Sequence, residues 1–186
     1  MDNGASSYRR FRDQGDESGL AEIIRQYRDG LIYYLFSIVG DIQAAEELCE
    51  DVFVLLGTKK PKDKGIGSFK TWLYTIGRNQ ALNYLKRHKQ GADISLDELS
   101  EFSDERYTPE RTVLIEEQRV SLHDAMNRLK PEYRQILWLY YFEGFSLKEA
   151  ASILKKSVRS TEVCISRARQ SLRSQLEMED FHYEKL

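Results

Sequence analysis

The sequence predicts an all-α protein of two small helical domains joined by a flexible acidic linker. Three observations carry this. Apolar residues recur at helical spacing through most of the 186 residues, with no period-two alternation. The three prolines, Pro61, Pro109 and Pro131, fall in a loop, a linker and a first turn. Between the two periodic stretches lies an acidic segment, residues 91–112, rich in Ser, Asp and Glu and without a stable period.

The elements follow in order. Residues 1–17 are polar, and the expectation is a loosely ordered segment with at most a short helix near Tyr8–Arg12. Residues 18–90 form the first domain. Its first helix runs from Ser18 to Val39 on Leu20, Ile23, Ile24, Tyr27, Leu31, Tyr34, Leu35 and Ile38. Asp41 caps a second, to about Leu56, whose apolar face is Ala45, Leu48, Cys49, Val52, Phe53 and Leu56. A Lys/Gly loop, Gly57–Gly67, breaks the pattern, and Ser68 caps a third helix to about Lys89. After the linker, residues 113–178 form the second domain. A helix from about Glu110 to Arg128 leads to Pro131–Glu143, with Pro131 in its first turn. Ser146 and Glu149 make a capping box for Leu147–Leu154. A turn at Lys155–Val158 precedes the last helix, Arg159–Leu176, and residues 179–186 are a tail.

Composition narrows the function classes. The longest apolar run, near Ile136–Phe142, is too short to span a bilayer, so no membrane insertion is expected. The start, Met1-Asp-Asn-Gly-Ala-Ser-Ser, has no apolar core and does not read as a signal peptide, so the expected location is cytoplasmic. Cys49 and Cys164 read as two buried thiols, and His88, His123 and His182 have no ligand spacing. No cofactor or metal is expected.

The net charge of -2 hides a sorted distribution. Asp41, Glu46, Glu47, Glu50 and Asp51 form an acidic block. Lys59, Lys60, Lys62, Lys64, Lys70, Arg78, Lys86, Arg87 and Lys89 follow, opposed only by Asp63. A second basic block holds Lys155, Lys156, Arg159, Arg167, Arg169 and Arg173. One basic block alone is ordinarily a solvated helix face; two separate blocks can make two sets of phosphate contacts.

Leu147–Leu154, a short polar turn and a longer basic helix trace a helix-turn-helix. Thr161, Ile165, Ala168, Leu172 and Leu176 share one face and can pack on Ala150, Ala151 and Leu154. The opposite face offers Arg159, Val163, Ser166, Arg167 and Gln170, side chains able to read base edges in the major groove. An ordinary helical hairpin with a basic face is the alternative. On the third helix of the first domain Trp72, Thr75, Asn79, Asn83 and Lys86 lie along one strip that could stack on and bond to bases of a separated strand. Trp72 reads more readily as core, and Asn79 and Asn83 fit base contact or solvent equally.

Five segments together resemble a known family. Gly40-Asp-Ile-Gln-Ala-Ala-Glu-Glu-Leu-Cys-Glu-Asp-Val-Phe is similar to its "GD…AEDL.Q.VF" helix, and Gly67–Arg87 to its "GSF.TWL..IARN.A.D.LR" helix. Leu129–Leu137 and the pair Glu143–Ala151 and Ser166–Leu172 resemble its C-terminal helix-turn-helix. This is the extracytoplasmic-function (ECF) group of the sigma-70 family, and the likeness covers most of Gly19–Leu176 in order.

The resemblance implies a sigma factor, not an enzyme, that directs transcription through −35 binding and −10 melting. The first domain is then region 2-like and the second region 4-like. Glu46, Glu47, Glu50, Asp51 and Phe53 match the part that binds core RNA polymerase. Lys64, Ser68, Trp72, Asn79, Asn83, Lys86 and Arg87 match the −10 region, with Asn79 and the Lys59–Ser68 loop holding an extruded base. Arg159, Ser160, Val163, Ser166, Arg167, Gln170 and Arg173 match the −35 reader. Implied partners are core RNA polymerase, promoter DNA and an anti-sigma factor. The chain departs from the pattern where Asn83 replaces a frequent Asp, and where Glu162 replaces a base and would repel phosphate. A stand-alone helix-turn-helix regulator with a sensing domain is the alternative. A small helical enzyme is a weaker one, lacking paired carboxylates near a His, a phosphate loop or a nucleophile motif.

Overall fold

The computed structural model describes residues 3–63, 67–89, 122 and 124–177. The expected acidic linker, most of the helix expected after it toward Arg128, the tail and Lys64 lie outside the described residues. Every regular element within them is helical.

α1, Asn3–Gln14, departs from the sequence expectation, because a twelve-residue helix stands where a loose segment was expected. Two large apolar residues suffice since both are deeply buried: Tyr8 is 1% and Phe11 6% exposed. Close approach does the rest. A Cβ on Gly4 would meet the Phe69 ring and the Tyr27 hydroxyl at 2.6 Å, so only glycine lets α1 settle there. Ser7 and Arg10 both bond Glu22, which fixes α1 along α2.

α2, Glu17–Val39, is the central helix. Asp16 caps it by accepting from the Ser18 amide at 3.0 Å. Gly40 ends it in the left-handed region at φ 78°, its amide bonding the Phe36 carbonyl. α3, Ile42–Lys59, starts on Asp41 as expected, with the Ala44 amide 2.7 Å from its carboxylate. α4, Phe69–Lys89, follows the loop, and the Thr71 amide donates to the Ser68 hydroxyl at 3.2 Å. Ile23, Leu31, Leu35, Val52, Leu56 and Leu73 from these three helices are fully buried, each worth about 1.5–3 kcal/mol of transfer free energy. Cys49 is a buried free thiol whose pKa burial pushes up to about 12, and Cys164 is likewise raised, to about 11.

In the second domain α5, Pro131–Leu137, begins on Pro131 but does not run regularly to Glu143. Residues Trp138–Phe142 form a π-turn, in which the Glu143 amide reaches back to the Trp138 carbonyl at 3.1 Å. The inserted register stacks Trp138 on Phe142 and leaves Tyr140, Tyr141 and Phe142 exposed. α6, Leu147–Leu154, carries the expected capping box of Ser146 and Glu149. Lys155 closes it in a left-handed conformation at φ 55°, and α7, Val158–Glu177, follows one residue earlier than the pattern suggested. The Ser157 hydroxyl explains that start, because it accepts from the Ser160 amide at 3.1 Å.

Candidate nucleic-acid interface

α6 and α7 form the helix-turn-helix. Thr161, Ile165, Ala168 and Leu176 are buried, as are Ala150, Ala151 and Leu154 of α6. With the inner face so engaged, Arg159, Ser160, Val163, Ser166, Arg167, Gln170 and Arg173 are all exposed. Val163 is a large apolar side chain left in solvent on this face, and Glu162 is exposed beside it. The two cations differ in their surroundings. Arg173 is paired with Glu177 at 2.8 Å, whereas Arg167 has no ion-pair partner among the described residues.

On α3, Glu46, Glu47, Glu50 and Asp51 are exposed and form an unbroken acidic face. Phe53 is not on that face. It is 7% exposed and belongs to the core, while the neighbouring Val54, 59% exposed, is the apolar side chain among the carboxylates. Its position, three residues past Asp51 on the same helical stripe, was the signal that pattern reading passed over.

On α4 the expected strip is only partly open. Asn83, Lys86 and Arg87 are exposed, and Thr75 turns its hydroxyl onto the Thr71 carbonyl. Trp72 packs against Tyr8 at 5.3 Å and Phe69 at 5.5 Å, so much of its ring is core. Ser68 and Asn79 are engaged by the second domain. The Ser68 hydroxyl donates to Glu149 at 3.1 Å, and Lys155 donates to the Asn79 side-chain oxygen at 3.0 Å.

These contacts belong to a wider seam between the domains that sequence reasoning did not foresee. Glu143, at the end of the π-turn, accepts from the Tyr74 hydroxyl at 2.5 Å and pairs with Lys70 at 3.0 Å. Lys70 also donates to the Glu143 carbonyl at 2.7 Å and lies over the Phe145 ring at 4.7 Å. A Cβ on Gly30 would meet the Glu143 carboxylate at 2.6 Å, so the carboxylate rests against bare helix backbone. Burial first, then Glu143, pushes the Tyr74 phenol far above its ordinary range, so it stays a donor. Partial burial opposes ionisation of Glu149, but hydrogen bonds from Ser146, Ser68 and Thr71 prevail and hold its pKa below the usual value. Deeper in the seam the Arg134 guanidinium donates to the Ser37 carbonyl at 2.8 Å, and burial pulls its pKa down to about 10.

Comparison with known proteins agrees with this two-part layout. Residues 23–91 match the family "Sigma-70 region 2", and residues 119–172 match "Sigma-70, region 4". The ECF RNA polymerase sigma factor SigM of Bacillus subtilis is 30% identical over 154 residues, 82% of this chain and 92% of that protein. SigW of Bacillus subtilis, also an ECF sigma factor, is 25% identical, covering 88% of this chain and 91% of SigW. The RNA polymerase sigma-H factor of Pseudomonas aeruginosa is 25% identical, with 86% of each chain covered. Among solved structures, the sigma factor RpoE in complex with the anti-sigma factor NepR from Bartonella quintana superposes with a TM-score of 0.64 at 20% identity. That match covers 84% of this chain and 96% of the other. CnrH in complex with the cytosolic domain of CnrY gives 0.63 at 20% identity, with 94% and 95% covered; both likenesses concern the fold. Both sigma-70 regions, in order on one chain that aligns with nearly all of an ECF sigma factor, show that the protein belongs to the extracytoplasmic-function RNA polymerase sigma factors of the sigma-70 family.

Proposed function

We propose that this sigma factor directs core RNA polymerase to its promoters by reading a −35 element with α7 and opening a −10 element with α4 and the loop before it. It contributes no bond chemistry of its own and acts inside the cell; no helix among the described residues is long and apolar enough to cross a membrane. The observation that carries the reading is the exposed face of α7. Seven side chains suited to groove contact point outward from a helix whose other face is locked onto α6. Arg167 is its base reader and Arg173 a phosphate contact. The acidic α3 face, with Val54 at its C-terminal edge, is the surface for core polymerase. Residues 18–90 and 113–178 are the two working domains, with 91–112 as the tether.

A consequence concerns the seam. Elements named −35 and −10 lie on the order of 80 Å apart along duplex DNA at about 3.4 Å per base pair. Domains joined by Lys155 on Asn79 and Glu149 on Ser68 cannot bridge that span, so the arrangement described here is a closed one that parts on promoter binding. An anti-sigma factor that holds the chain away from polymerase is a partner consistent with RpoE, whose structure is that of a complex with the anti-sigma factor NepR.

In-vitro transcription from a promoter library with core polymerase and the purified chain tests the proposal. The expected result is initiation from a subset sharing −35 and −10 sequences, absent with core alone. Equal initiation with and without the chain, or tight promoter binding by the chain alone, refutes it.

A further inference from the structure

We infer that α1 is part of the −10 apparatus, with Tyr8 as the positioning residue that holds both ends of the loop between α3 and α4; this rests on the proposed role of that loop in reading the −10 strand.

The loop leaves α3 in an awkward conformation. Lys60 sits at φ 45°, a left-handed position that L side chains avoid, directly before Pro61, which disfavours helical backbone in the residue ahead of it. Something outside the loop must secure that conformation, and the described contacts come from α1. The Tyr8 hydroxyl donates to the Pro61 carbonyl at 2.8 Å across 53 residues of sequence. One turn along, the Phe11 ring lies under the Lys60 ammonium at 4.6 Å. The other end of the loop meets the same side chain. The Tyr8 ring packs on Phe69, the first residue of α4, at 5.4 Å and on Trp72 at 5.3 Å. Phe69 is itself fixed by Tyr27 at 5.7 Å, and Ser68 beside it caps α4.

One buried phenol therefore spans the loop's entry and exit, and its hydroxyl is spent on loop backbone. A residue that served the core alone would need no hydroxyl there. The Tyr8 pKa, raised to about 12 by burial, keeps it a donor throughout the working range. α1 is held against α2 by Ser7 and Arg10 on Glu22, so its hold on the loop is transmitted from the rigid centre of the domain.

The test is Tyr8→Phe in the full chain, which keeps the ring packing and removes only the hydroxyl. Two measurements are made beside wild type and Asn79→Ala. The first is hydrogen exchange of the loop amides in the free chain. The second is open-complex formation by reconstituted holoenzyme on promoters altered singly in the −10 element. Tyr8→Phe should raise loop exchange and narrow the discrimination among −10 variants by about fivefold, the effect of one hydrogen bond, with closed-complex binding unchanged. A purely structural role would lower binding to all promoters alike. Unchanged loop exchange overturns the inference. Raised exchange with discrimination intact, while Asn79→Ala loses it, overturns the role in reading. If neither variant alters discrimination, the loop does not read bases and the role given to Tyr8 falls with that reading, whereas raised exchange still establishes the contact.

Discussion

Replacing Glu143 by Ala should open the two domains. The carboxylate is the acceptor for a Tyr74 phenol with no exposed surface and the counter-charge of Lys70, whose side chain is 29% exposed against 11% for Glu143. A hydrogen bond to a charged group is worth about 1.5–3 kcal/mol. Removing one partner of a fully buried ion pair costs about 3–5 kcal/mol, and the partial exposure of Lys70 reduces that share. Together these give roughly 2–4 kcal/mol, a change of about 30- to 700-fold in the ratio of open to closed forms. Lys70 keeps its bond to the Glu143 carbonyl, so the lower half of the range is favoured. Single-molecule energy transfer between dyes placed at introduced cysteines on Val54 and Gln170, both exposed, reads that ratio directly. Cys49 and Cys164 are buried and do not compete for label. Tyr74→Phe should produce part of the effect, and the double variant less than the sum, because the two groups share one bond. An open-to-closed ratio raised less than about threefold by Glu143→Ala refutes the assignment of this carboxylate as the latch.

Reversing Glu47 and Asp51 to Lys should abolish co-elution with core polymerase while circular dichroism keeps its helical signal. Arg167→Ala should relax preference at one or two −35 base pairs, by about 1–3 kcal/mol of discrimination, whereas Arg173→Ala should weaken all promoters alike and flatten the salt dependence; holoenzyme binding to singly altered −35 elements separates them. Ser146→Ala removes half of the capping box and should destabilise the second domain by about 1 kcal/mol in urea unfolding. Glu149 gives a pH dependence. Its folded pKa lies below its ordinary 4.5, so its contribution is present above that value and fades as pH falls through the folded pKa. Energy transfer should therefore report domain opening on acidification below about pH 4.5, reduced in Glu149→Gln, which keeps the capping box but does not titrate.

What the sequence made legible follows from where the forces act. Caps are local, and Asp41, Ser146 with Glu149, and Pro131 could each be placed because both partners lie within one turn. The faces of α3 and α7 followed from period alone. Period placed Phe53 on the buried face, where it lies; only the family resemblance set it among the polymerase-binding residues, and its exposed apolar neighbour Val54 was passed over. α1 escaped because its stability comes from partners outside the helix, Glu22 of α2 and, more than fifty residues away, Pro61, Phe69 and Trp72, and not from its own pattern. The seam escaped for the same reason. Lys70 and Lys155 read as members of basic blocks and Glu149 as half of a local capping box, and only docking of the domains gives these side chains and Glu143 partners across the seam.

That docking ties the closed form to the reading of DNA, because Ser68 and Asn79 stand on both sides of the account. In the closed form they bond Glu149 and Lys155; in the proposed open complex they face the −10 strand. Both uses cannot hold at once, so the stability of the seam subtracts from promoter affinity. With a closed form favoured about 100 to one, apparent affinity for the −10 strand falls by the same factor of roughly 100. Core polymerase, by drawing the acidic α3 face and the second domain to separate surfaces, would remove that penalty. Asn79→Ala therefore has two opposed effects: it loses a base contact but also releases Lys155 from the seam. At core polymerase concentrations below saturation, where closing of the free chain still competes with assembly, its defect in promoter opening should look smaller in the otherwise unaltered chain than in one already opened by Glu143→Ala; at saturating core the two defects should be equal, and the comparison separates the two roles of the same side chain.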